Sequence, residues 1–186
     1  MRIDRIKKSF GKKVIFDGFS ADFPKGSKNL ITGKSGIGKT TLLRIIAGLE
    51  DYESGNVILD NSEIVAFMFQ EPRLFPWMNV ISNVNSVLHK PDFEKSSKIL
   101  AELGLINESE AMPSELSGGM KRRVSLARTL LYSADIYLFD EPFAGLDPDI
   151  AKTSADVLLD YTRDKTVIIV SHDRSMLDNN ISTIEI

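Results

Sequence analysis

Cysteine is absent from the 186 residues, which excludes a disulfide framework, thiol catalysis and a Cys-ligated metal, and suits a reducing cytosol. Long apolar runs are missing too. Nothing in the chain approaches the ~18 residues of a membrane-spanning helix. The start, Met1-Arg2-Ile3-Asp4-Arg5, is charged with no apolar stretch behind it. These absences predict a chain that is soluble by itself. Basic clusters are short, the longest being Lys121-Arg122-Arg123, and the net charge is −3, so there is no electrostatic reason to expect nucleic acid as a partner. No internal repeat or low-complexity segment occurs. A chain of this size buries roughly 70% of its unfolded surface, enough for one domain with a small subdomain but not for a second full domain.

What is present is organised around Gly33-Lys34-Ser35-Gly36-Ile37-Gly38-Lys39-Thr40-Thr41, which follows the apolar run Leu30-Ile31 and opens a helix-like segment. The pattern GxxxxGK[ST] is met by Gly33, Gly38, Lys39 and Thr40, with a strand before it and a helix after it. This is a phosphate-binding loop. Glycines let successive backbone N–H groups turn inward around a β-phosphate. Lys39 supplies a mobile charge to the β/γ-phosphates, Thr40 offers a hydroxyl to Mg²⁺, and the helix aims its positive end at the anion.

Before the loop, residues 5–10 and 14–16 read as short strands joined by Gly11-Lys12-Lys13. Phe19, Ala21 and Phe23 alternate with polar residues, so the first part is an antiparallel β layer. Spacing alone leaves Phe10 open between core packing and stacking on an adenine ring. After the loop, residues 39–47 form a helix stopped by Gly48, and 57–59 and 64–69 form two strands around Asp60-Asn61-Ser62. The stretch Glu71-Pro72-Arg73-Leu74-Phe75-Pro76-Trp77-Met78 fits neither helical nor strand periodicity. It is either a contact surface or a loop folded back on its own core. Helices are expected over 83–88 and 93–103, making a small helical insert, and His89 reads as a surface residue.

Leu116-Ser117-Gly118-Gly119-Met120 precedes a helical pattern of Met120, Val124, Ala127 and Leu131, with Ser117 placed as its N-cap. Ser117, Gly118 and Gly119 at a positive helix end can form a second anion site, or simply cap the helix. The run Ile136-Tyr137-Leu138-Phe139 reads as a strand buried on both faces, and it ends in Asp140-Glu141. Two carboxylates there are costly without a cation: Asp140 is placed to hold Mg²⁺ and Glu141 to act as general base on a water. Ala144-Gly145-Leu146-Asp147-Pro148 is a turn, 150–161 a helix, and 166–170 another buried strand ending at Ser171-His172-Asp173, where His172 can reach a γ-phosphate.

In the order phosphate loop, Gln70, LSGGM, apolar strand with Asp140-Glu141, AGLD and His172, nearly the whole chain resembles the nucleotide-binding subunit of an ATP-binding cassette transporter. LSGG between a Gln loop and an Asp-Glu strand separates that family from kinases and GTPases. Residues 70–77 and 113–120 are further similar to the ATPases of bacterial nitrate, sulfonate and taurine importers. The resemblance implies an α/β fold: a P-loop NTPase core with a mixed or parallel sheet, an N-terminal antiparallel β layer and a helical subdomain at about 72–130 inserted in a single domain of 1–186. It implies ATP and Mg²⁺ as cofactors. Phe10 and Val14 would lie at the nucleotide, with Phe10 stacking on adenine, and Gly33 to Thr41 would be the Walker A loop. Thr40, Gln70 and Asp140 would hold Mg²⁺, Lys39, Gln70, Glu141 and His172 would be catalytic, and Ser117, Gly118, Gly119 and Asp147 would reach a nucleotide. Two copies would pack head to tail, most simply as a homodimer, so that the signature of one closes on ATP held by the other. The resemblance places the chain in the cytoplasm, peripheral on the inner face of the membrane through a permease subunit, and served indirectly by an extracellular solute-binding protein.

Three departures from the family pattern stand out. Met120 and Arg122 occupy positions where many relatives carry Gln, and the chain ends 14 residues after His172, which reads as a natural minimal subunit rather than a truncation. Two other functions remain open. A soluble cassette ATPase of DNA repair or translation is opposed by the lack of large insertions or a second cassette, and a non-hydrolysing regulatory module by the intact Lys39, Gln70, Glu141 and His172.

Overall fold

In the computed structural model, which describes residues 1–60, 62–172, 177 and 181–186, two short strands are buried along their whole length: β6 (Ile136–Asp140) and β7 (Thr166–Val170). Strands with so few polar side chains need cover on both faces, which a parallel sheet between helical or sheet layers provides. They lie inside a five-stranded sheet of order β5-β6-β7-β3-β8, every pairing parallel, with β3 (Lys28–Thr32), β5 (Val65–Met68) and β8 (Ser182–Glu185) around them. The expected mixed or parallel sheet is thus parallel throughout.

Period-two alternation divides the core into two layers. Tyr137, Phe139, Val167 and Ile169 face a layer built from α2 (Val80–Asn85), α3 (Phe93–Glu102), α4 (Gly118–Leu131) and α5 (Pro148–Tyr161). Ile136, Leu138, Ile168 and Val170 face α1 (Lys39–Ile46), whose Leu42, Leu43, Ile45 and Ile46 pack beneath a second sheet. That sheet has the order β2-β1-β4 and is antiparallel, with β1 (Arg2–Phe10), β2 (Lys13–Asp22) and β4 (Ser54–Ile58). Because α1 is clamped between the two sheets, the loop that opens it is held at one end of the parallel strands.

Several boundaries differ from those read in the sequence. The strands expected at 57–59 and 64–69 belong to different sheets, β4 pairing with β1 and β5 with β6, so the segment between them crosses from one sheet to the other. Asn61 of that segment lies outside the described residues, as does Asp173. Residues 13–22 form one strand rather than two, with register shifts absorbing the break. Helix α2 begins three residues early, because Asn79 caps it by accepting from the Ser82 N–H (3.0 Å). Its buried face includes Asn83 and Asn85, polar residues that hide the apolar period.

Asn83, fully buried, also explains the loop at 71–78. Its Oδ1 accepts from the Phe75 N–H (2.8 Å), while Nδ2 donates to the carbonyls of Phe75 (3.1 Å) and Met78 (2.8 Å). Arg128 donates to the carbonyls of Pro72 and Arg73. The loop backbone is therefore pinned to the helical layer while the Trp77 ring is left 70% exposed: pinned backbone and outward ring combine the two readings of this stretch. Replacing Asn83 by Ala takes this partner from the Phe75 N–H and the Met78 carbonyl, and is expected to lower stability by about 1–3 kcal/mol. Urea unfolding with an unchanged midpoint would show that the anchor contributes nothing.

Candidate active site

The phosphate-loop sequence fits only because its glycines do. Gly33 has φ +148° and Gly38 φ +126°, values that side chains rarely adopt. A Cβ at Gly33 would run into the Ile186 carbonyl, and one at Gly38 into the side chains of Ile15 and Phe16. Gly38 is also the N-cap of α1 and has no side chain to cap it, so the first-turn N–H groups remain available to an anion. The Lys39 side chain is buried and its ammonium donates to the carbonyls of Gly33 (2.8 Å) and Lys34 (3.1 Å), curled over its own loop. Lys13, at the start of β2, reaches across to the Gly36 carbonyl (3.2 Å).

The carboxylates come from the end of β6, next to β7 and one strand away from β3. Asp140 is 2% exposed and its Oδ1 has no hydrogen-bond partner among the described residues. Burial pushes its pKa up, opposed by the Thr40 hydroxyl and the charges of Arg44, Lys39 and Arg122. Glu141 follows with φ +52°, an unusual conformation for a residue with a side chain. Burial raises its pKa too; His172 opposes the rise and Asp140 adds to it. The His172 Nε2 lies 3.3 Å from Glu141 Oε1, close enough for an ion pair but without the alignment of a hydrogen bond.

These groups line one cavity of about 380 Å³, which brings together Phe10, Lys39, Thr40, Gln70, Glu141 and His172 with Asp140, Ser35, Gly36, Gly38 and Thr41. Gly33, Lys34 and Ile37 complete the loop behind it. Phe10 is 48% exposed, which removes the core reading for this ring. The Lys8 ammonium, paired with Glu50 at 2.6 Å, lies 4.4 Å from the Phe10 ring centroid. Val14 is exposed on β2 outside the lining. Ser117, Gly118 and Gly119 at the start of α4 do not line the cavity either, nor does Asp147. Ser117 accepts from the Met120 N–H (3.2 Å) and Asp147 from the Asp149 N–H (3.0 Å), so both cap helices. Sequence reading missed Lys13, taken as part of a turn, and Arg122, whose Nη1 donates to the Glu141 carbonyl (2.6 Å). Its helical neighbours carry no hint of that contact.

The family profile for "ABC transporter" matches residues 16–144. The chain belongs to the ABC transporter family. This cassette is 40% identical over 178 residues to the aliphatic sulfonates import ATP-binding protein SsuB of Corynebacterium glutamicum, covering 91% of this chain and 72% of that one. The SsuB of Bacillus subtilis is 40% identical over 173 residues, 87% of this chain and 68% of the relative. Among solved structures, the dimeric bacterial ABC transporter cassette MJ0796 aligns with a TM-score of 0.85 at 25% identity, covering 99% and 94% of the two chains. A dimeric post-hydrolysis state of MJ0796 bound to ADP and Pi aligns at 0.81 and 25% identity, covering 94% and 89%. The expected P-loop α/β fold and the ATPase reading are borne out, and among the described residues no helix is long and apolar enough to cross a membrane.

Because the folded Asp140 holds its proton more tightly than an unfolded Asp, its contribution to stability is lost as pH rises from the ordinary carboxylate value through the raised one. In the ligand-free chain at neutral pH, Asp140→Asn is therefore expected to stabilise the fold, because it removes a buried charge. The gain should vanish below about pH 4, where both forms are neutral. A variant less stable than wild type at pH 7 in urea unfolding would show that the carboxylate is already satisfied.

Proposed function

We propose that this chain is the ATP-hydrolysing subunit of an importer for aliphatic sulfonates or a similar small organic anion, working as a head-to-tail pair of identical cassettes on a membrane-spanning permease. One observation carries the pairing: the cavity that gathers the phosphate loop and the carboxylates is lined by no residue of Ser117–Gly119 at the start of α4. A second copy supplies that group. The identity to sulfonate import proteins supports the solute class, and the dimeric MJ0796 structures support the assembly.

In this reading the triphosphate enters the Gly33–Thr41 loop and the Lys39 ammonium exchanges its loop carbonyls for β- and γ-phosphate oxygens. Adenine stacks on the exposed Phe10 ring. Asp140, Thr40 and Gln70 would hold Mg²⁺, a Lewis acid for the phosphate oxygens, and the unpartnered buried Oδ1 of Asp140 fits such a cation. Glu141, its pKa raised by burial, takes the proton of the attacking water as the new O–Pγ bond forms and the bond from Pγ to the β-phosphate bridge breaks, releasing ADP and phosphate. His172, beside Glu141, hydrogen-bonds the γ-phosphate. With the γ-phosphate gone, the charge that bridges the two chains disappears and the pair opens.

The permease would meet the helical layer, residues about 72–130, which we take as one subdomain inserted in the core. A second cavity of about 410 Å³ lies there, lined by Phe67, Phe69, Arg73, Phe75, Arg128 and Tyr132 among others. Exposed Trp77 stands beside it, its ring centroid 5.5 Å from that of Phe75. Docking would hold the cassette peripherally on the inner face of the membrane, with the solute-binding protein on the far side of the permease.

Blocking hydrolysis while keeping the phosphate loop should trap the pair. Light scattering of Glu141→Gln is expected to show a doubled mass with Mg·ATP and a monomer with Mg·ADP; a monomer with ATP bound would end the two-copy reading. Trp77→Ala should reduce recovery of the permease in co-purification on the order of 10-fold, as loss of an exposed aromatic anchor does, with an unchanged melting temperature. Full recovery of the permease would remove this loop from the interface.

A further inference from the structure

We infer that Arg122 is a positioning residue: from the signature helix α4 it holds the backbone of Glu141, and so ties the carboxylate of one site to the helix that serves the other. The inference rests on the reading of Glu141 as general base. Glu141 has a left-handed backbone, φ +52°, which a residue with a Cβ keeps only where its surroundings fix it. Three backbone contacts do so. The Glu141 N–H donates to the Val170 carbonyl (2.9 Å), and the Glu141 carbonyl accepts from the Ala144 N–H (3.3 Å) and from Arg122 Nη1 (2.6 Å). The first two lie within the parallel sheet and the local turn, and the Ala144 contact is long. The Arg122 contact is the shortest, is charge-assisted, and is the one that comes from α4.

A second contact joins the same two segments. Gly119, three residues earlier on α4, lies so close to Leu146 that a Cβ there would stand 3.1 Å from Leu146 Cδ2. Residues three apart share a helix face. That face thus bears on the 141–146 segment at Gly119, within the signature, and at Arg122, on the carbonyl of the base. Movement of the α4 N-terminus on engaging a partner's nucleotide is transmitted to Glu141 through this guanidinium. A side chain shorter by several atoms, or one without a donor, loses the link while leaving the phosphate loop untouched.

The test uses the full chain with Mg·ATP. Arg122→Ala is expected to lower kcat on the order of 10-fold or more, the scale on which a misplaced catalytic group costs rate, with KM within about two-fold of wild type. Arg122→Lys, which restores a charged donor, should recover part of the loss. In a Glu141→Gln background, Arg122→Ala should cause no further drop, because the two act through one group. Wild-type kcat in Arg122→Ala, a KM that rises with the fall in kcat, or an equal loss in the Glu141→Gln background would each overturn the inference. If Arg122→Ala does not fold, Arg122→Lys and Arg122→Gln carry the test, and wild-type kcat in both overturns it. Wild-type turnover in Glu141→Gln alone marks failure of the base assignment instead, whereas an inactive Glu141→Gln beside a fully active Arg122→Ala removes only the role of Arg122.

Discussion

Burying carboxylate charge at the end of β6 is the constraint on which the rest of the arrangement depends. Asp140 sits almost wholly out of water with one oxygen unpartnered, and Glu141 follows it, nearly buried as well. Both have raised pKa values from that burial. An apolar sheet tolerates such groups only where a cation can reach them or where they keep their protons. The parallel topology meets the first condition, because β3 and β6 end on the same side of the sheet with β7 between them. The loop of N–H groups and the Lys39 ammonium after β3 therefore open beside the acids after β6, and the basic and acidic halves of one site come from strands that do not touch.

The same topology bears on how the proposed pair would complete the site. The cavity is floored by the loop and walled by β1, β2 and the ends of β6 and β7, and among the described residues no second helix N-terminus lines it. The chain does possess one, α4, whose Ser117 cap and glycines begin it, yet that end lies against Leu146 and does not line the cavity that holds Lys39. A phosphate loop and a signature that do not share a cavity within one chain would be reconciled by symmetry in the proposed pair, which joins each to its complement twice.

Much of this was legible in the residues. The loop at 33–41, the buried strands ending in Asp140 and at His172, and the cap at Ser117 are all local patterns, and local patterns survive folding. What was not legible depends on partners far apart in sequence. Arg122 and Glu141 are 19 residues apart and meet only because the fold brings α4 beside the turn that follows β6. The true start of α2 was masked by Asn83 and Asn85, which are buried because they bind backbone rather than because they are apolar. The strands around Asp60-Asn61-Ser62 could be read, but not that they enter different sheets, since periodicity identifies strands and not the sheet to which each belongs.

Helix α4 occupies a mechanical position that follows from these contacts. Its buried Val124, Leu126 and Ala127 belong to the same core as Phe139 on the sheet, Arg128 holds the backbone of the loop bearing Phe75, and Arg122 holds that of Glu141. Packed cores shift as units rather than deforming atom by atom. In the proposed assembly, a partner on the Phe75–Trp77 loop and a nucleotide at the Ser117 end would therefore act on one rigid element. The turn at Glu141 meets that element near its N-terminal end, at Gly119 and Arg122, so in the proposed mechanism a shift of the helix would reach the carboxylate.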